Sequence, residues 1–265
     1  MKFRPIFALC LLLALSACAP RLRPGAPAEP AAAEAVWKRY EAYCAAQDSP
    51  RPYRLQASLR YGREGDTRRV LVLLWGNGNS PLRLDVMAGV GVTVAGIFES
   101  GDEFVVYAPN EHRAYFHEGK EKPLLNVGVP VPFGVADLAD ALNGRFGTLF
   151  GAARLGETTV RPDGNMVYSL APGHAGGRLE LNPQGLPVRW NDTGNAKKDW
   201  EIRISYDEAT PPLPRKLEIT HAEGRRAILL VKEREFPAAP FTDAQLRLIV
   251  PEGVQMLPLR QYRRQ

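Results

Sequence analysis

The chain has 265 residues and carries 34 Lys and Arg against 29 Asp and Glu, a net charge of +5. No run of like charge exceeds two or three residues. This excludes the concentrated basic surface that nucleic acid needs and leaves at most a mild attraction to anionic headgroups. Hydrophobic residues make up 45% of the chain, enough to bury the core of one large β domain or two small ones.

Lys2 and Arg4 precede an apolar run from Ile6 to Leu15, too short to span a bilayer and suited to the h-region of a signal peptide. The run ends in Leu15-Ser16-Ala17-Cys18, which matches the bacterial lipobox. In signals of that kind the peptide is cut before the Cys and its thiol is diacylated. Residues 1–17 therefore read as a lipoprotein signal peptide and Cys18 as the lipidation site. More than one acyl chain gives stable anchoring where one is marginal. By analogy with sorting in enteric bacteria, Ala19 in place of Asp after the Cys points to the outer membrane, on its periplasmic face. With Cys10 in the signal and Cys18 acylated, Cys44 has no intramolecular disulfide partner. It is either a reactive thiol or packing within a helical pattern.

Residues 18–33 are rich in Pro and Ala and read as a tether, with a single domain from 34 to 265. Val36, Tyr40, Tyr43 and Cys44 mark one face of a helix over about 31–47, ended by Pro50 and Pro52. Tyr53 to Tyr61 alternates strictly and predicts a strand with one wet face. Next comes a meander of five short strands, near 68–75, 82–87, 91–98, 103–107 and 112–117, punctuated by Gly, Asn, Pro and Asp. This ribbon is apolar on both faces, so it needs a cover or a ligand. Val135, Leu138, Ala139 and Leu142 then fall at helical spacing, stopped by Asn143-Gly144 and followed by Phe146, Leu149 and Phe150. A helix between two runs of strands must lie on or inside the sheet, as packing or as a lid. Met166–Leu170, Arg178–Asn182, Pro187–Trp190, Trp200–Tyr206, Lys216–His221 and Ala227–Lys232 predict further strands, and Leu246 to Pro251 a last edge strand. The sum is mainly β, about eleven strands with a few helices, too many for a flat sheet.

No pair of His residues has zinc-ligand spacing, since His112 and His117 point to opposite faces of one strand. There is no Gly-x-Ser-x-Gly and no phosphate loop, and Gly89-Val90-Gly91 lacks the third glycine of a dinucleotide fingerprint. The expectation is a protein without metal, cofactor or catalytic site.

In its order of features the chain resembles the LolB family of outer-membrane lipoproteins, within the LolA/LolB superfamily, over about 35–235. The resemblance rests on the lipobox and tether, the YRLQASLRY strand, and the hairpin of Leu74-Trp75 with Leu82-Arg83-Leu84. It continues through Val129-Pro130-Val131-Pro132 before the short helix, then Trp200 to Tyr206, the Pro-rich turn and Leu213 to Thr220. It implies a half-open antiparallel β-barrel with a helical lid over an apolar cavity. It also implies that acyl chains of lipoproteins are accepted from a LolA-like periplasmic carrier and inserted in the outer membrane, the protein acting as a monomer. The family's membrane-delivery loop corresponds to Met87, Gly89, Val90 and Gly91, where Gly-Val-Gly stands in place of the family's Pro-Leu-Gly. Val90 either projects or folds inward. The expected lining of the cavity is Trp75, Val94, Phe98, Phe104, Val106, Leu138, Leu142 and Phe146. Two alternatives remain open: a structural or assembly lipoprotein whose own side chains fill the same fold, and an envelope hydrolase with a dispersed site.

Overall fold

The computed structural model describes residues 25–63, 65–89, 91–118, 134–151, 153–171, 176–192 and 200–262. The chain begins with a two-residue strand, β1 (Ala26–Pro27), and helix α1 (Pro30–Gln47). Pro30 sits in the first turn, where its missing N–H costs nothing, and the Glu29 carboxylate accepts from the N–H groups of Ala31 and Ala32 at 3.0 and 2.7 Å. The Pro/Ala-rich segment is thus already structured before Ala33.

Six strands follow in a meander: β2 (Tyr53–Arg63), β3 (Asp66–Gly76), β4 (Leu82–Ala88), β5 (Val92–Ser100), β6 (Glu103–Ala108) and β7 (Arg113–Glu118). Helices α2 (Val135–Leu142) and α3 (Phe146–Phe150) separate it from a second meander. That comprises β8 (Arg154–Val160), β9 (Met166–Leu170), β10 (Gly177–Leu181), β11 (Pro187–Asn191), β12 (Trp200–Tyr206), β13 (Pro214–His221) and β14 (Arg225–Glu235). A short helix α4 (Asp243–Leu246) and strand β15 (Gln255–Pro258) end the chain.

All fifteen strands join one sheet, with β1 and β15 at its two open ends. The meanders meet where β14 pairs antiparallel with β2, from Arg225 opposite Arg63 to Glu235 opposite Arg54. Among the described strands, only β15, beside β7, runs parallel to its neighbour. The architecture is therefore a half-open antiparallel barrel with helices on its concave face. Among the described residues the strands number fifteen, where sequence suggested about eleven. β8 escaped notice because Gly156 adopts φ 63° and its ladder with β9 is irregular between Leu155 and Thr159, which breaks the alternation.

One face of each strand supplies the core. Leu55, Ala57 and Leu59 on β2, Val72 and Leu74 on β3, Leu82 and Leu84 on β4, and Leu217 and Ile219 on β13 are all buried. They pack in one cluster with Trp37 and Tyr40 of α1, Leu138 and Leu142 of α2, and Phe146 and Leu149 of α3. Rings continue across the helices: Trp37 lies 4.9 Å from Tyr168, Phe146 stacks 5.8 Å from Phe150, and Phe150 6.0 Å from Trp190. Cys44 is half-buried in this packing, and burial pushes its thiol up to about 11, so it stays protonated and unreactive at neutral pH.

The tail answers the question of what covers the doubly apolar ribbon. Past β14 it crosses the outer face of β3–β5. Asn77 clamps it by donating to the Phe241 carbonyl and accepting from the Phe241 N–H, both at 2.8 Å. Trp75 Nε1 donates to the Gln245 carbonyl at 3.2 Å, and Arg83 Nη1 to that of Arg247 at 3.1 Å. Leu246 is 1% exposed yet stands outside the main core cluster, and Leu248 reaches Gly96, where a Cβ would meet it at 2.9 Å. The strand expected at 246–251 lies instead at Gln255–Pro258. The alternation of Leu246, Leu248 and Val250 records side chains facing a sheet surface, without ladder bonds of their own. After β15, Leu259 re-enters the main core.

Candidate functional site: a latched helical lid over the half-barrel

Helix α2 spans Val135–Leu142, and every residue along it except Ala136 and Asp137 is buried. Its N-cap is Gly134, which has no side chain to satisfy the first N–H groups. Glu99 of β5 performs that task from the sheet, accepting from Val135 N at 3.0 Å and Ala136 N at 3.2 Å. Glu99 shares the concave face with Ile97 two residues earlier. Burial raises its pKa, and the two backbone hydrogen bonds oppose that rise only in part.

The other end is held by two further polar groups. Arg145 pairs with Asp140 at 2.5 Å, both side chains nearly fully buried, and Thr148 Oγ1 donates to Asp140 Oδ2 at 2.7 Å. Burial raises the Asp140 pKa against the pull of Arg145. Arg234 of β14 donates to the Leu142 carbonyl at 2.9 Å and to Asp207 at 3.0 Å, and also reaches the Pro214 carbonyl. The lid is thus an apolar helix pair tied to the sheet at each end by charge-assisted bonds, which are strong individually and few in number.

The expected lining residues divide. Phe104, Val106, Leu138, Leu142 and Phe146 belong to the concave core, each 4% exposed or less. Trp75 and Phe98 do not. Trp75 alternates with buried Leu74 and pairs across the ladder with Arg83, which pairs with Phe98, so all three face outward beneath the tail. The physical reason is the period of two: with both faces apolar, hydrophobicity alone does not fix which face turns inward. Val94 stands at the irregularity between the Val86–Ala95 and Met87–Thr93 pairs and is half-buried. The space under α2 and α3 holds the chain's own side chains.

At the β4–β5 turn, Gly89 and Gly91 adopt φ of 57° and 80°, left-handed values that suit glycine, and open space surrounds both. Met87 is half-buried, while Val92 at the base of the turn is 57% exposed. Val90 and Cys18 lie outside the described residues. Among the described residues, no helix is long and apolar enough to cross a membrane, and no group of three His, Cys, Asp or Glu side chains gathers as a metal site would need.

Glu99, Asp140, Arg145 and Arg234 were missed from sequence. Glu99 left a trace, as a carboxylate in register with Ile97 on an apolar strand. Arg234 left none, because its acceptors lie at Leu142, Asp207 and Pro214, far along the chain.

No family model matches the chain, and no curated protein matches it in sequence. Solved structures do. A DUF1329 family protein from Desulfovibrio piger superposes with a TM-score of 0.52 at 11% identity, over 81% of this chain and 96% of that one. A LolA superfamily protein from Nitrosomonas europaea superposes with a TM-score of 0.51 at 10% identity, over 82% and 97%. The fold is the LolA/LolB-like one; at such identity the likeness extends to architecture alone.

Proposed function

We propose that the protein is a lipid-anchored component of the outer membrane, facing the periplasm, that binds acyl chains beneath α2 and α3. In this reading it accepts lipoproteins from a LolA-like carrier and releases them into the bilayer, with no catalytic step. The observation that carries it is the lid: an apolar helix packed over an apolar half-barrel and tied to the sheet by a few polar side chains, without ladder hydrogen bonds.

The energetics are balanced for exchange. Uncovering Leu138, Leu142 and Phe146 costs about 1.5–3 kcal/mol per side chain, whereas burying an acyl chain returns about 0.8 kcal/mol per methylene. A chain of about fifteen methylenes therefore offsets the opening with a modest surplus, which suits a protein that must also let go. Met87 and Val92 flank a turn that offers apolar contact to a membrane surface.

A photo-crosslinker at Leu138 tests the reading in cells: adducts with lipoproteins are expected, and their absence with normal lipoprotein localisation after depletion would overturn it. The stacked Phe146, Phe150 and Trp190 favour one second reading, an assembly lipoprotein whose half-barrel is permanently filled. That reading predicts no adduct at Leu138.

A further inference from the structure

The outer face of the second meander carries a groove of about 810 Å3, within the roughly 300–1,000 Å3 typical of small-molecule sites. It runs across the strands. One row follows the register Arg178, Asn191, Glu201, Thr220, and a neighbouring row follows Val167, Glu180, Arg189. Three inter-strand steps of about 4.8 Å make the longer row roughly 14 Å, room for more than one sugar ring.

We propose that this groove binds a saccharide, with Arg178 recognising a carboxylate on the sugar. The lining and the side chains beside it form a chain of planar charged and amide groups that hold one another in place. Arg161 meets Glu180 at 2.7 Å, Arg189 lies 3.8 Å from Glu180 and 4.0 Å from Glu201, and Arg203 meets Glu201 at 2.6 Å. Asn165 and Asn191 donate to the same two glutamates at 2.9 and 3.1 Å. Glu180 is 5% exposed, on a sheet face where a carboxylate is ordinarily bathed in water. Such mutual bonding fixes the rotamers before any ligand arrives, which lowers the entropic cost of binding.

The chemistry of the lining selects the ligand class. Guanidinium groups offer paired donors, carboxylates paired acceptors, and amides one of each kind of group, so the groove matches hydroxyl groups, which donate and accept together. Its cations and anions alternate in near balance, which disfavours a polyanion. An apolar ligand would bury these charges without compensation. Arg178 differs from its neighbours: it is exposed, lines the groove and has no ion pair among the described residues. A free guanidinium beside hydroxyl-binding groups fits a sugar bearing one carboxylate.

Calorimetric titration of the mature chain with two probes tests this. The disaccharide N-acetylglucosaminyl-N-acetylmuramic acid carries a carboxylate; chitobiose does not. At sugar concentrations of about 10 mM, where millimolar binding registers, the acidic disaccharide is expected to bind about tenfold tighter than chitobiose. Arg178→Ala should abolish that difference without moving the melting temperature, and Glu201→Gln should weaken both sugars. The proposal is overturned if neither sugar binds, or if Arg178→Ala leaves the ratio unchanged. It is equally overturned if a short acidic peptide displaces the disaccharide as well as free disaccharide does, since the groove would then read a carboxylate alone.

Discussion

The two meanders solve the same problem in opposite ways. Both pack their concave faces on the same helices, yet β2–β7 turns Leu71, Leu73, Trp75 and Phe98 outward, while β10–β13 turns out Arg178, Glu180, Arg189, Glu201 and Glu218. The first therefore needs a second cover, which the tail supplies through Asn77, Trp75 and Leu246. The second needs none, and its wet face is free to carry a groove. A strand apolar on both faces marks a buried strand, and the cover can come from more than a hundred residues away.

Removing the tail beyond Glu235 should break this contrast most severely. It uncovers the outer face of the first meander and takes away β15, and the expected result is loss of cooperative unfolding with dye-detectable apolar surface. A truncated chain that melts like the whole protein would show the cover to be dispensable. Phe146→Ala, inside the shared core, is expected to cost about 3–5 kcal/mol in denaturant unfolding. Leu246→Ala should cost about 2–4 kcal/mol although it lies outside that core, because it is buried against the opposite side of the sheet.

Smaller effects separate the meanders by pH. Burial raises Glu99, so its contribution to stability is fully present below the ordinary carboxylate pKa and is lost as pH rises through the raised folded value. Asp140 acts in the same direction. On the outer face of the second meander the sign reverses. The bond from Lys216 lowers Glu218, and at Glu201 burial is outweighed by bonds from Arg203 and Asn191. These two stabilise above the ordinary carboxylate value and lose that contribution as pH falls. Glu99→Gln should therefore cost about 1 kcal/mol by weakening the cap and should flatten the loss of stability with rising pH. Val92→Glu, at an exposed position, should change stability by less than about 0.5 kcal/mol while reducing association with lipid vesicles.

Much of the fold was legible because the strict alternation at Tyr53–Tyr61 and Trp200–Tyr206 and the helical spacing at Val135–Leu142 are local signals. The strap was not, since Leu246 and Leu248 alternate like a strand while the carbonyls of Gln245 and Arg247 accept from side chains, Trp75 of β3 and Arg83 of β4. The candidate site was half legible. Leu138, Leu142 and Phe146 declared themselves by spacing, whereas Trp75 and Phe98 could not be assigned a face in a ribbon apolar on both. The ties at Glu99 and Arg234 depend on contacts made only when the half-barrel closes over the helices.

Hydrogen–deuterium exchange across residues 134–151, with and without a soluble diacylated lipopeptide, tests the lid most directly. Entry beneath α2 requires the ties to Glu99 and Arg234 to open, so amide protection in this segment should fall on lipopeptide binding while that of β2 and β14 is unchanged. Lipopeptide binding that leaves α2 fully protected would contradict the account.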